Sequence, residues 1–269
     1  SGLNYNLWLG PAPWQEYHDN LVHYNWHWFW DTGNGEIGNH GVHRMDMCYW
    51  AMNKDMPNKV WSLGGRFGYY DQGQTPNMMM AVYDYGDRLL VFEVRGLVGK
   101  DTSLGRQITN EYYTTEGKIQ EGKFYPNGGG DPQPLDDVDP SKVVRNPGGN
   151  FFKNFINAVR SRKRAHLNAE IQDGHYSSAL CHLGNISYRL GARTPFGEKP
   201  DMDTEVEQKT FQAITSNLSD GVGLDLDDLG YQMGPTLEFA PEKEQFVGQD
   251  AEDANNLLRR AYRHPFVVP

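Results

Sequence analysis

The sequence predicts an α+β fold, and three observations carry the prediction. Residues 58–125 hold short runs of β-favouring residues parted by turn residues. Helical patterns precede that stretch at 37–52 and follow it at 150–164 and 169–190. No GxGxxG follows a strand and opens a helix, and no P-loop is present, so the alternating signature of a doubly wound parallel sheet is missing.

Residues 3–35 are aromatic and irregular: Pro11 and Pro13 forbid a continuing helix, and 31–35 is turn chemistry. A helix over 37–52 places Ile37, Val42, Met45, Cys48 and Tyr49 at three- and four-residue spacing, with Asn53 and Pro57 ending it. Strands follow at 59–63, 77–85 and 88–95. The last alternates, with Leu90, Phe92 and Val94 on one face, and Tyr85-Gly86-Asp87 is its hairpin turn. Residues 109–117 and 118–126 make a further pair, and the Gly-, Pro- and Asp-rich stretch 127–149 is a loop too long for a simple connection. The helix over 150–164 has an apolar stripe of Phe151, Phe152, Phe155, Ile156 and Val159. Its basic end, Arg160 to Arg164, suits the negative pole of a helix dipole. The helix over 169–190 takes Asn168 as cap and Gly191 as stop. The remainder, 195–269, holds an acidic helix over 203–217, a Gly/Asp-rich linker and a terminal helix over 249–262.

Composition narrows the function classes. Lys+Arg 25 against Asp+Glu 35 leaves a formal net charge of −10, which argues against nucleic-acid and anionic-membrane partners. No run reaches the roughly 18 consecutive apolar residues of a membrane helix. With Cys48 and Cys181 alone, neither a disulfide framework nor a cysteine zinc site is indicated.

Five of the nine histidines, His18, His23, His27, His40 and His43, fall between residues 18 and 50 among Trp26, Trp28, Phe29 and Trp30. On a helix, Asn39, His43, Asp46 and Trp50 share one face. Histidine changes charge near neutral pH, so an imidazole there suits general acid/base work; pairing with neighbouring loops is the plainer reading. His40, His43 and Asp46 can also be read as a metal site, though the spacing is not HExxH, and a metal-dependent lyase or hydrolase using His40, His43 and His27 is the third reading. In the 169–190 helix, His175, Ser178, His182, Asn185 and Arg189 form a second polar stripe without Lys or Glu, either a solvated face or the lining of a cleft.

The segment Gly33-Asn34-Gly35-Glu36-Ile37-Gly38-Asn39-His40-Gly41-Val42-His43-Arg44-Met45-Asp46 resembles the Gly-rich-loop-to-helix motif opening the C-terminal domain of the Gfo/Idh/MocA oxidoreductases. The resemblance continues through Trp8-Leu9-Gly10-Pro11, Asn25 to Asp31, Leu63 to Tyr69, Phe92 to Gly96, Thr115-Glu116-Gly117, His182 to Gly191 and Ala261 to Phe266, and looks like a bacterial branch. It implies an open, mostly antiparallel sheet with helices on one face, the other face making a homo-oligomer. It also implies a single substrate-binding and oligomerisation domain over 1–269 (3–57 aromatic loop and motif helix, 58–126 sheet, 150–191 two helices, 195–269 irregular). An N-terminal Rossmann domain would precede residue 3, and the chain starts without Met.

The activity implied is NAD- or NADP-dependent oxidation of a sugar, glycoside or cyclitol, with no tight cofactor binding by this fragment alone. His43 matches the family's catalytic His, and Asn39 stands where the family has Asp; an amide orients a hydroxyl but accepts no proton. Asp46 matches a trailing structural Asp. The substrate contacts expected are Trp26, His27, Trp28, Trp30, His182 and Arg189. Glu198-Lys199-Pro200 repeats the family's EKP motif but in a loop, a coincidence. A non-catalytic carbohydrate-binding or scaffold module is the rival reading, and the compartment, bacterial cytoplasm or periplasm, is left open.

Overall fold

A computed structural model describes residues 2–99, 108–135 and 150–267. Strands β1 (Lys59–Gly65), β2 (Met78–Asp84) and β3 (Leu89–Arg95) form an antiparallel meander in full register, Lys59 opposite Asp84 and Asp84 opposite Leu89. The β2–β3 hairpin closes where predicted: Tyr85 N donates to Arg88 O at 3.0 Å, and Gly86 takes φ 92°. The other edge of β1 is shared. Lys59 and Val60 pair with β10 (Leu237–Ala240), itself paired with β11 (Gln245–Val247), whereas Leu63 and Gly64 pair with β9 (Gly230–Met233), which carries β8 (Ala192–Pro195) beyond it.

Side chains alternate across this sheet and so build two cores. Met79, Ala81 and Tyr83 of β2 join Val60, Leu90 and Val94 on one face, beneath α3 (Gly41–Ala51) and α5 (Ile171–Arg189). Met78, Met80 and Val82 join Leu63, Phe196 and Tyr231 on the other, beneath α6 (Glu205–Ser216), which contributes Phe211 and Ile214. The α+β antiparallel architecture is the predicted one, with α6 added over β2 and β3 on the face expected to stay open. A capping box starts α6: Thr204 N donates to Glu207 Oε2 at 2.8 Å while Glu207 N donates to Thr204 Oγ1 at 3.3 Å.

Helix α5 lies close on the sheet because position 184 has no side chain. A Cβ on Gly184 would come within 2.6 Å of Tyr83 Oη and 3.1 Å of Ala81 Cβ. The polar groups trapped by this approach are satisfied: Tyr83 Oη donates to Leu180 O at 2.8 Å, Ser62 Oγ to Gly184 O at 2.8 Å, and Ser62 N to Ser187 Oγ at 3.0 Å.

The structure departs from the periodicity reading at several places. The helix expected over 37–52 is two, α2 (Gly35–Asn39) and α3, parted at His40. Residues 109–126 form a separate small sheet, β4 (Glu111–Tyr113), β5 (Gly117–Gln120) and β6 (Lys123–Pro126), to which β7 (Gln133–Pro134) adds from within the expected loop; positions 136–149 of that loop lie outside the described residues. Glu170, not Asn168, caps α5, accepting from Gln172 N at 2.7 Å. The linker after 217 holds β9, β10 and β11, each too short for alternation to show, and the terminal helix is only α7 (Ala251–Asn256).

The largest departure is α4 (Phe151–Ser161). Its predicted apolar stripe faces solvent, with Phe151 73% and Phe155 61% exposed. The helix attaches through Asn154 instead, which donates to His166 O at 2.7 Å and accepts from Asn168 N at 3.0 Å.

Candidate functional site

Glycines seat the motif helices. Gly33 lies against the His27 backbone, where a Cβ would overlap it; Gly35, at φ 73°, lies against Thr75; and a Cβ on Gly41 would sit 3.0 Å from the Phe92 ring of β3. Small residues here let the 33–41 segment drop onto the sheet edge and the preceding loop. Ile37 then fills the core beneath α5, and Cys181 Sγ reaches Ile37 O at 3.1 Å.

Asn39 closes α2, half-buried, and His43 stands exposed on the first turn of α3. The break between them is slight, because His40 keeps a helical backbone (φ −92°, ψ −36°) and His43 N donates to His40 O at 3.2 Å. The His40 and His43 rings meet edge to face, centroids 6.1 Å apart. Asp46, on the next turn, accepts from Ser177 Oγ at 2.7 Å and so ties α3 to α5, a structural task.

The aromatic segment does not form one wall. Trp26 is exposed. His27 is buried, 1% exposed, in a 3-10 turn (His23–Trp28). Its Nδ1 lies 2.6 Å from Tyr24 O, which makes Nδ1 the donor, and its Nε2 faces Glu36 Oε1 at 3.4 Å without a full hydrogen bond. That geometry makes His27 a packing residue and removes it from any cleft. Trp28 is half-buried under Arg66, whose guanidinium lies 5.1 Å from its ring while Asp71 holds the same group from the side at 2.6 Å. Trp28 also borders a groove of about 1240 Å³ along β3, together with Glu36, His40 and Arg44.

Trp30 turns the other way, into a second pocket of about 200 Å³. There it meets two more of the predicted contacts, His182 and Arg189, with Arg189 stacked 5.2 Å over the Trp30 ring. Arg260 closes this side, donating to Asp31 O at 3.0 Å and Gly33 O at 3.2 Å, directly upstream of α2. His182 opens to solvent at the pocket, yet the surrounding protein, and then Arg260, disfavour its imidazolium and hold its pKa below the usual value. Burial foremost, then Arg260, lowers that of Arg189, with Asp31 opposing.

The polar stripe of α5 thus divides. His175 lies 2.7 Å from Glu244 Oε2 at the surface, whereas His182, Asn185 and Arg189 line the pocket. Arg259 and Arg260 were not nominated from the sequence. The signal available was an Arg pair just after an acidic stretch, but nothing in the sequence says that it folds back on residues 31–33. His43 and Asn39 border neither pocket.

Among the described residues no group of three or more His, Cys, Asp or Glu could hold a metal, so His40 and His43 make neither of the metal sites considered above, with Asp46 or with His27. Nor do the described residues fit a dinucleotide. Every strand pair is antiparallel, and the glycines at 33, 35 and 41 are filled by the protein's own atoms instead of leaving a phosphate cradle.

Comparison with known families gives one result. Residues 1–75 match the Gfo/Idh/MocA family's "Oxidoreductase family, C-terminal alpha/beta domain". A search of curated proteins finds no match.

Proposed function

From the premise that residues 1–75 belong to a Gfo/Idh/MocA-family oxidoreductase C-terminal domain, we propose that this chain is the substrate-binding half of an enzyme that oxidises a hydroxyl of a sugar, glycoside or cyclitol. The family generally uses NAD(P). The described residues do not fit that group, so the proton side of the reaction alone is proposed. One observation carries the reading: the family match contains the whole loop-to-helix motif, and the fold presents its histidine, His43, exposed and at the start of a helix, free to meet a hydroxyl.

His43 takes the proton of the substrate hydroxyl and returns it in the reverse direction. Asn39 orients the same hydroxyl through its amide; it holds no negative charge, so it does not relay the proton. Trp30, His182 and Arg189, in a pocket that His43 and Asn39 do not border, hold a part of the substrate other than the reacting hydroxyl. Self-association of the chain belongs to this reading and is checked by sedimentation. In the full-length protein, His43→Ala is expected to bind NAD(H) normally and to lose about 10²- to 10⁴-fold in turnover. Unchanged turnover overturns the assignment. Asn39 favours the second reading, a carbohydrate-binding module without catalysis, which predicts sugar binding with no redox activity at all.

A further inference from the structure

The geometry points to the pocket among Trp30, His182, Asn185, Arg189 and Arg260 as a site for an anionic, hydroxyl-bearing ligand: a sugar acid or a sugar phosphate. The inference rests on the proposed function only in taking this pocket for the substrate's.

Charge is the first argument. Arg189, Arg259 and Arg260 line the pocket against the single carboxylate of Asp31, in a chain whose formal net charge is −10. None of the three arginines makes an ion pair among the described residues. Arg260 donates to the backbone carbonyls of Asp31 and Gly33, and the Arg189 guanidinium carbon lies over Trp30, 5.2 Å from the ring centroid. Burial is the first cause of the lowered pKa values of Arg189 and His182, and the nearby Arg260 adds to it, with Asp31 the one carboxylate opposing at Arg189. A carboxylate or phosphate offsets the positive charge and matches the guanidinium fork, which binds either anion through two parallel hydrogen bonds.

Asn185 supplies the second argument. It is 3% exposed, and its Nδ2 donates to Asn34 O at 2.8 Å, which settles the orientation of the amide. Its Oδ1 is then a buried acceptor without a partner. A buried unpaired oxygen costs about 1–3 kcal/mol, and a ligand hydroxyl satisfies it while a bare anion does not. One ligand must therefore bring a donor hydroxyl together with its negative group. Size is the third argument: at about 200 Å³ the pocket is below the ~300–1,000 Å³ of sites that enclose a whole drug-sized ligand, so it takes one ring or one charged end.

The test is calorimetric titration of the full chain at low salt with D-glucuronate, D-glucose 6-phosphate and D-glucose, read alongside tryptophan fluorescence. Expected is at least tenfold tighter binding of one or both anionic sugars than of glucose, with the better of the two naming carboxylate or phosphate. Arg189→Gln should erase the preference; Arg259→Gln, at an exposed position, should weaken it severalfold and serves if the first variant does not fold. Equal affinity for all three sugars, no binding at millimolar concentration, or a preference kept in both variants overturns the inference. His43→Ala separates it from the oxidoreductase reading: the variant should keep the anion preference whatever happens to turnover.

Discussion

The face carrying His43 and the pocket carrying Arg189 are built in opposite ways. The first comes from one continuous motif, residues 33–46, whose glycines and histidines sit within a few turns of each other. The second joins residues 30–34, one side of α5 and the tail at 259–261, segments separated by 148 positions (34 to 182) and 70 positions (189 to 259) in the chain. A local motif sets reactive side chains on a rigid helix. Only the returning chain can surround a ligand, because burial of a small molecule needs walls from several directions. On the proposed reading, chemistry at His43 and binding at the pocket therefore differ in their sensitivity to mutation.

The largest structural effect is expected at Gly184, which seats α5 and with it the pocket. Gly184→Ala forces a methyl toward Tyr83 Oη and Ala81 Cβ, and overpacking of this kind costs about 1–3 kcal/mol; a fall in Tm accompanied by weaker ligand binding checks it. Tyr83→Phe should recover part of that loss when combined with Gly184→Ala, since it removes the crowded hydroxyl, and a thermodynamic cycle over the two sites reads the coupling.

Arg260→Gln probes the join between the two regions. It releases Asp31 O and Gly33 O, the clips just ahead of α2, at a largely exposed site, so about 0.5–1 kcal/mol is expected. If the regions are independent, turnover survives this change and only the pocket loosens; a matching loss in both ties them together.

A smaller effect is set by pH. The folded-state pKa of His182 is lowered by burial and by Arg260, so the native protein resists a proton that the unfolded chain accepts. Its contribution to stability is complete above the unfolded value of ~6.5 and is lost as pH falls through that value toward the lower folded one. His182→Asn should flatten this acid-side decline in denaturant midpoints; an unchanged profile refutes it. Smallest of all is the expected response of the thiols. Burial pushes Cys48 up to about 11 and Cys181 up to about 12, so neither should react with a thiol reagent at pH 8 until the chain unfolds.

Helices α4 and α5 show how far the sequence could be read. Both carry apolar residues at helical spacing, and both are helices. In α5 the apolar side, with Leu180, Leu183 and Ile186, is buried; in α4 the aromatic side is bare and a polar residue, Asn154, makes the attachment. Periodicity reports which residues share a face and says nothing of what that face meets. The long strands β2 and β3 were legible in different ways, β2 as an unbroken apolar run that is buried on both faces and β3 by its alternation. The four-residue strands β9 and β10 were not, since their pairing partner on β1 lies more than 160 positions upstream, nor was the three-residue β11, which pairs with β10. His27 shows the same limit at a single residue: its neighbours suggested a cleft, and its burial against Tyr24 O and Glu36 followed from the close seat of Gly33.

Spacing and residue type were enough to establish the α+β class and the helical character of the motif segment, because these depend on neighbours within a few turns; the role given to His43 rests on the motif's resemblance and belongs to the proposal. The second covered face of the sheet, the buried place of His27 and the meeting of Trp30, Arg189 and Arg260 depended on where distant segments come to rest. Those positions follow from which surfaces exclude water together and which buried polar atoms find partners, and that accounting closes only when the whole chain is folded.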